Sequence, residues 1–344
     1  MKDPIQFSQF LLEFYNYTLN VALVSNKSNV VPDMAAISKQ IAEGIQKSFH
    51  TEGISKDGEE AKSGSSQHHY DTRPITEQYD AAEIRAAIVN GLRRTQYQVD
   101  EDDEFRPFID LPDHVMEATG PNHQKLIVKL VRKSSNERAF LEELSKQKSP
   151  LNHIVPLLAT FPSRLGTLLI VERGNSLQVF AGGKADVNTA ERWSRELIEA
   201  VAFLHQQNIA HLDIKPGNII CTLRGHKLLL IDFDIAMRCK SADETIKKSC
   251  GTVGWSAPEI VIEDGKPLQA FSPIRADLWS TGKVLQLITD MCDRSAFKPL
   301  MEMLLDLDPK RRPLLHEVVD EESVSWPTTQ LAQAFERYRI DVGN

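Results

Sequence analysis

His211-Leu-Asp-Ile-Lys-Pro-Gly-Asn218, followed by Leu230-Ile-Asp-Phe-Asp234, is the stretch from which the rest of this chain is read. Three aspartates, a lysine and an asparagine stand close together in it, flanked by apolar runs of strand-forming type. Working back from it, residues 106–110, 114–119 and 125–131 read as successive strands, broken by Pro112-Asp113 and by Gly120-Pro121-Asn122. Residues 136–146 read as a helix, and 154–159 and 167–172 as two more strands. After Gly182-Gly183 the pattern turns helical. Asn188 is expected to cap a helix with Glu191 completing a capping box, and Leu197, Val201 and Leu204 form its apolar stripe. Five strands with one helix, then a larger helical part, imply an α+β chain with two lobes around a cleft. The small lobe is expected at 105–172 and the large lobe at 175–320.

The spacing of Asp213, Lys215 and Asn218, with Asp232 following, resembles that of the protein kinase family. That family's catalytic loop sets an aspartate five residues before an asparagine and two before a lysine, and a metal-binding aspartate follows in an Asp-Phe-Gly element. The resemblance implies a bilobal kinase fold and transfer of the ATP γ-phosphate to Ser/Thr hydroxyls of a protein substrate. Phosphoryl transfer needs a positioned hydroxyl, neutralised phosphate charge and in-line geometry more than covalent help. By resemblance, Asp213 would accept the hydroxyl proton and Lys215 would hold the γ-phosphate. Asn218 and Asp232 would offer oxygens to Mg²⁺, a hard cation that takes its other ligands from phosphates and water.

Aminoglycoside and choline kinases share a similar His-x-Asp…Asn and terminal acidic element, so the downstream motifs make the distinction. Gly251-Thr-Val-Gly-Trp-Ser-Ala-Pro-Glu259 resembles the end of a protein kinase activation segment. Asp277-Leu-Trp-Ser-Thr-Gly282 resembles the start of the helix whose aspartate ties down the catalytic loop, and Asp308-Pro-Lys-Arg-Arg312 the element whose arginine pairs with Glu259. Upstream, Lys129 stands in the place of the phosphate-binding lysine, with Lys125 and Lys133 as competitors. Glu137 stands in the place of its partner, with Glu142 and Glu143 as competitors. Val171 would guard the adenine pocket, Glu172 to Gly174 would form the hinge, and Ile127 and Ile220 join the residues facing the nucleotide. Leu141, Leu157, His211 and Phe233 would stack as an internal spine. Finer details, including Ile-Asp-Phe-Asp and Ser-Pro-Ile-Arg-Ala-Asp, are most similar to divergent kinase-like proteins of mushroom-type fungi.

Several positions depart from the family pattern. No Gly-x-Gly-x-x-Gly precedes Lys129; the sequence places only Leu111-Pro112-Asp113 between the first two strands, and Pro112 has no amide to give a phosphate. Ile127 replaces a small alanine beneath the adenine, and its bulk is expected to crowd that pocket. Leu212 replaces the arginine that receives an activation-segment phosphate, so activity is expected not to depend on such phosphorylation. Asp234 replaces a glycine; aspartate tolerates left-handed backbone, so metal binding by Asp232 is retained. The interval between Asp277 and Arg312 is short, which shortens the helices that dock protein substrates. A kinase-shaped binding module without transfer is the alternative reading, and a small-molecule phosphotransferase the second alternative.

The whole chain has 344 residues, 41% hydrophobic and 26% charged, with a formal net charge of −8. That balance, with the acidic run Asp100 to Glu104, argues against a nucleic-acid or anionic-membrane binder, since both demand basic surface. Four cysteines without CxxC spacing suggest neither zinc site nor disulfide framework and fit a reducing intracellular compartment, cytoplasm or nucleus. No signal-peptide pattern opens the chain, and the apolar stretch 7–24 is interrupted by Glu13, Asn16 and Asn20. Residues 1–50 are expected to form a helical extension, with Phe7, Phe10, Leu11 and Phe14 on one face and Met34, Ile37, Ile41 and Ile45 on another. Residues 51–78 read as a flexible linker, in which His68 and His69 are taken as solvated. Residues 79–104 read as a helix bearing Ile84, Ile88 and Leu92 followed by an acidic linker, and the whole upstream part as a brace on the small lobe, with a regulatory or dimerising helical module as the alternative. A final helix with Leu331, Phe335 and Tyr338 is expected within 321–344. Oligomeric state is not readable from these patterns.

Overall fold

The computed structural model describes residues 74–100, 111–224, 226–260, 269–292 and 295–342, the last five without side chains. The expectations for 1–50, for most of the 51–78 linker, for a strand at 106–110 and for the side chain of Tyr338 lie outside them.

Five antiparallel strands form the upper sheet in the order β1-β2-β3-β5-β4: β1 Gln98–Val99, β2 Val115–Thr119, β3 Lys125–Val131, β4 Leu157–Pro162 and β5 Thr167–Glu172. Period-2 alternation separates its two faces. Met116, Ala118, Leu126, Val128, Leu130, Leu168 and Ile170 pack on one side against helix α1, Ala81–Leu92, through Ile84, Ala87, Ile88 and Leu92. Asp80 caps α1 by accepting the Glu83 amide at 2.8 Å. The brace expected of the upstream helix is therefore observed, and the small lobe's core takes in Ile75 to Val99, upstream of the 105 at which the sequence places its start. Ile75–Gln78, expected to close the flexible linker, is a short helix with Ile75 buried in that core.

Three other expectations need correction. The strand that pairs with the edge of β2 is Gln98–Val99, opposite Thr119 and Ala118, where the sequence places a linker. β4 begins at Leu157, because Ile154 and Val155 are drawn away to the lower lobe: Ile154 bridges Leu230, and the Val155 amide donates to the Leu230 carbonyl at 3.0 Å. In the lower lobe, helix α3 (Val187–Gln206) is capped by Asp186, whose carboxylate accepts the Thr189 amide at 3.0 Å. Asn188 already lies in the first turn, so it cannot be the cap.

Helix α2, Glu137–Leu144, follows β3 and packs Phe140, Leu141 and Leu144 into the core. β6 (Gly174–Ser176) leads from the upper sheet to the lower lobe and pairs with β8 (Ile219–Thr222); β8 pairs with β9 (Leu228–Leu230). β7 (Ile209–Ala210) pairs with β10 (Met237–Arg238). Helices α4 (Pro273–Asp290), α5 (Lys298–Leu304) and α6 (Thr328–Val342) complete the helical lobe, and Leu331 and Phe335 of α6 are fully buried in it. The four cysteines are free. No helix among the described residues is long and apolar enough to cross a membrane.

Arg312 is the largest fully buried side chain among the described residues. Its guanidinium makes a two-pronged contact with Glu259, at 2.6 and 2.9 Å, and donates to the carbonyls of Arg275 (2.8 Å) and Asp306 (2.9 Å) over the Trp279 ring. The pairing expected from sequence is thus observed, in the planar fork geometry that lysine cannot reproduce. Arg312→Ala strands a carboxylate in the lobe's interior; a loss of about 3–5 kcal/mol is expected in urea denaturation. Arg312→Lys is expected to recover only part of it.

Candidate active site in the cleft

β3 and α2 deliver the first pair. Lys129 Nζ lies 2.9 Å from Glu137 Oε1 and 2.6 Å from Asp232 Oδ1. The competing residues are engaged elsewhere: Lys125 with Asp100, Glu142 with Arg138, and Glu143 with Arg238, while Lys133 is exposed. Burial alone would lower the Lys129 pKa, but the carboxylates of Asp232 and Glu137 hold it well above its ordinary value. Burial works against ionised Asp232 too, yet the Lys129 ammonium outweighs it and brings the carboxyl down to about 2. For Glu137 burial wins, and its pKa is raised.

The second group is set by the loop from His211 to Asn218. Asp277, buried at the start of α4, accepts the amides of His211 at 2.6 Å and Leu212 at 2.8 Å. Leu212 has φ +66°, a left-handed conformation costing about 1–2 kcal/mol for a residue with a side chain. The carboxylate holds it there. The His211 ring reaches the Ile231 carbonyl with Nε2 at 2.9 Å, while Nδ1 accepts the Asp213 amide at 3.2 Å; that pattern assigns the proton to Nε2. The same ring meets Phe233 edge-on at 4.9 Å. Leu141 and Phe233 are buried in the core with His211 against them, and Leu157 is half-buried, so the expected spine residues share one packed region.

Asp213 therefore faces the cleft with defined partners. Its Oδ1 accepts the Thr252 hydroxyl at 2.6 Å, and its Oδ2 accepts Asn218 Nδ2 at 2.8 Å and lies 3.1 Å from Lys215 Nζ. Lys215 also donates to Thr252 at 2.7 Å. Asn218 spends its amide hydrogens on Asp213, side chain and carbonyl, which leaves the amide oxygen as its group for a cation. Asn218 and Asp232 are an all-oxygen pair with one ionised member, suited to a hard divalent ion completed by phosphate and water. No cluster of three or more His, Cys, Asp or Glu able to hold a metal occurs among the described residues.

On the base side of the cleft, β-sheet register places Glu117, Ile127, Val171 and Leu157 in one row. Gly174, in the hinge, packs so tightly that a Cβ there would stand 2.7 Å from the Cys221 carbonyl oxygen. Glu172 ends β5 opposite Leu126, and buried Ile220 lies opposite Ser176. Glu117, passed over in the sequence, and Arg173, read there only as part of the hinge, change this side: Arg173 Nε donates to Glu117 Oε1 at 2.7 Å, joining the end of β5 to β2 beside Ile127. The sequence signal for Glu117 is the phase of β2, which sends Val115, Glu117 and Thr119 to the cleft face. A last correction concerns Asp234. The left-handed residue is Asp232, with φ +69°, and Asp234 instead accepts the Ser135 hydroxyl at 3.0 Å.

The sequence model of the protein kinase domain matches residues 114–294. Among curated proteins, calcium/calmodulin-dependent protein kinase cmkA of Emericella nidulans is 30% identical over 193 residues, 53% of this chain and 44% of its own length. A calcium/calmodulin-dependent protein kinase of Metarhizium anisopliae is 29% identical over 205 residues, 56% and 50% respectively. Human myosin light chain kinase 3 is 29% identical over 177 residues, 47% of this chain and 20% of that one. The match thus spans half or less of the length of these relatives.

Proposed function

The chain belongs to the protein kinase domain family, and we propose that it transfers the γ-phosphate of ATP to serine and threonine hydroxyls of a protein substrate. The observation that carries this reading is the Asp213 carboxylate, which already accepts an aliphatic hydroxyl at 2.6 Å with an ammonium 3.1 Å away. A substrate hydroxyl in place of Thr252 would find the same acceptor, and Asp213 would take its proton as the oxygen attacks phosphorus. Lys215, within reach of both, would offset the charge on the transferred group. Lys129 would turn from Asp232 to the phosphates nearer the sugar, held in place by Glu137. Asn218 and Asp232 would hold Mg²⁺, which when bound neutralises phosphate charge.

Independence from activation-segment phosphorylation belongs to this reading. Leu212, buried where a phosphate-binding arginine would stand, cannot receive a phosphate, and Thr245 and Ser249 are exposed on the segment. In an assay with radiolabelled ATP and Mg²⁺, Asp213→Asn is expected to lower phosphate incorporation roughly 10²–10⁴-fold. Unchanged incorporation would remove Asp213 from the mechanism. The Thr245→Ala, Ser249→Ala double variant is expected to keep the parent rate; a large loss would show that a segment phosphate is required.

A second reading, a binding module of kinase shape that does not transfer phosphate, is favoured by the base side of the cleft. Ile127 narrows it, and the Glu117–Arg173 pair puts charge where a purine prefers apolar contact. The Glu117→Val, Ile127→Ala variant is expected to bind Mg-ATP about tenfold or more tightly, the equivalent of about 1.4 kcal/mol, measured by thermal shift titration. The transferring enzyme binds Mg-ATP measurably before this change. A parent protein that shows no shift, with a variant that gains one, supports the second reading.

A further inference from the structure

Asp234, two residues past Asp232, points away from the proposed cation site and towards the loop between β3 and α2. Its Oδ1 accepts the Ser135 hydroxyl at 3.0 Å, and Arg132 Nη2 lies 3.4 and 3.5 Å from its two oxygens. Ser135 Oγ in turn accepts the backbone amide of Glu137 at 3.2 Å. Two linked hydrogen bonds therefore run from Asp234 to the first residue of α2, the residue whose carboxylate holds Lys129. Asn136, at the N-cap position, makes no side-chain capping bond, so Ser135 supplies that function with a negative charge behind it. The segment leaving Asp232 also grips the other end of the helix. Arg238 Nη2 donates to Glu143 Oε2 at 2.7 Å, Nη1 reaches the Gln207 carbonyl at 3.2 Å, and the guanidinium lies 6.0 Å over the Phe140 ring.

A glycine at 234 could make none of the first set of contacts. We infer that Asp234 is a positioning residue: through Ser135 and Arg132 it fastens the N-terminus of α2, so that Glu137 stays on Lys129 without help from a partner or a modification. In kinetic terms the inference rests on the phosphotransfer reading, because the position it secures is that of the phosphate-binding lysine. The helix itself, however, can be watched without any reaction. α2 is a single short helix joined to β3 by only Arg132 to Asn136, so one fastening at its N-terminus controls its placement.

The test is hydrogen exchange on the full chain without nucleotide, reading peptides over 137–144 with 187–206 as internal control, alongside transfer kinetics. Asp234→Gly and Ser135→Ala are each expected to speed exchange in 137–144 about tenfold, the effect of losing one charge-assisted hydrogen bond, and to leave 187–206 unchanged. The combined variant should exchange no faster than Asp234→Gly alone, and Asp234→Asn, which keeps an acceptor for Ser135, should restore most of the protection. In kinetics, Asp234→Gly should raise the KM for ATP more than it lowers kcat. Unaltered exchange in 137–144, or a change in Mg²⁺ requirement with exchange unaltered, would overturn the inference and make Asp234 either idle or a cation ligand. Failure of the parent chain to transfer phosphate would defeat the phosphotransfer reading while leaving the exchange result standing.

Discussion

One ammonium group, Nζ of Lys129, lies between two carboxylates that come from different parts of the chain, at 2.9 Å from Glu137 and 2.6 Å from Asp232. In a partly desolvated cleft such a charge needs compensation, and buried Glu137 is compensated by the same ammonium. The asymmetry of the two acids follows. Asp232 is held ionised by the lysine, while burial pushes Glu137 the other way. The lysine thus favours the acid that would face a cation, and these three side chains join the upper sheet, α2 and the loop after β9.

The lower lobe meets the same kind of demand with a rigid frame. Asp277 spends its carboxylate on two backbone amides and keeps Leu212 left-handed; that turn aims Asp213 outward. Arg312 and Glu259 then tie the end of the activation segment to the base of the lobe. Thr252, held between Asp213 and Lys215, connects segment and loop at the point where a substrate hydroxyl would enter. Each buried charge in this frame has a partner of opposite sign or a set of backbone donors, as desolvation requires.

Two groups of contacts bear on the cleft, with different physical consequences. Around α2, the acid in place of glycine and the short loop after β3 add contacts that a glycine could not make. Around the base side of the cleft, Glu117, Arg173 and Ile127 add bulk and charge where a flat apolar ring would lie. Neither set of contacts includes Asp213, Lys215 or Asn218.

Residue type at short spacing is a local property, and what depended on it was legible before any coordinates. Arg312 with Glu259 and the α1 stripe of Ile84, Ile88 and Leu92 stand as the sequence alone indicated, and the 211–234 stretch was legible as a family motif. Lys125, Lys133, Glu142 and Glu143 satisfy the same local pattern as Lys129 and Glu137, which only the family register favoured in the sequence. Strand phase and helix rotation chose among them. The edge strand at Gln98–Val99, the Asp186 cap, the left-handed Asp232, the Glu117–Arg173 pair and the turn of Asp234 towards Ser135 were settled by tertiary structure alone. The reason is reach: the cross-chain pairs join residues tens to a hundred positions apart, and the strand pairing and backbone angles answer to packing, so these acquire an energy only once the lobes have closed; the Asp186 cap is local, but Asp186 and Asn188 are both capping types and only the helix start decides between them.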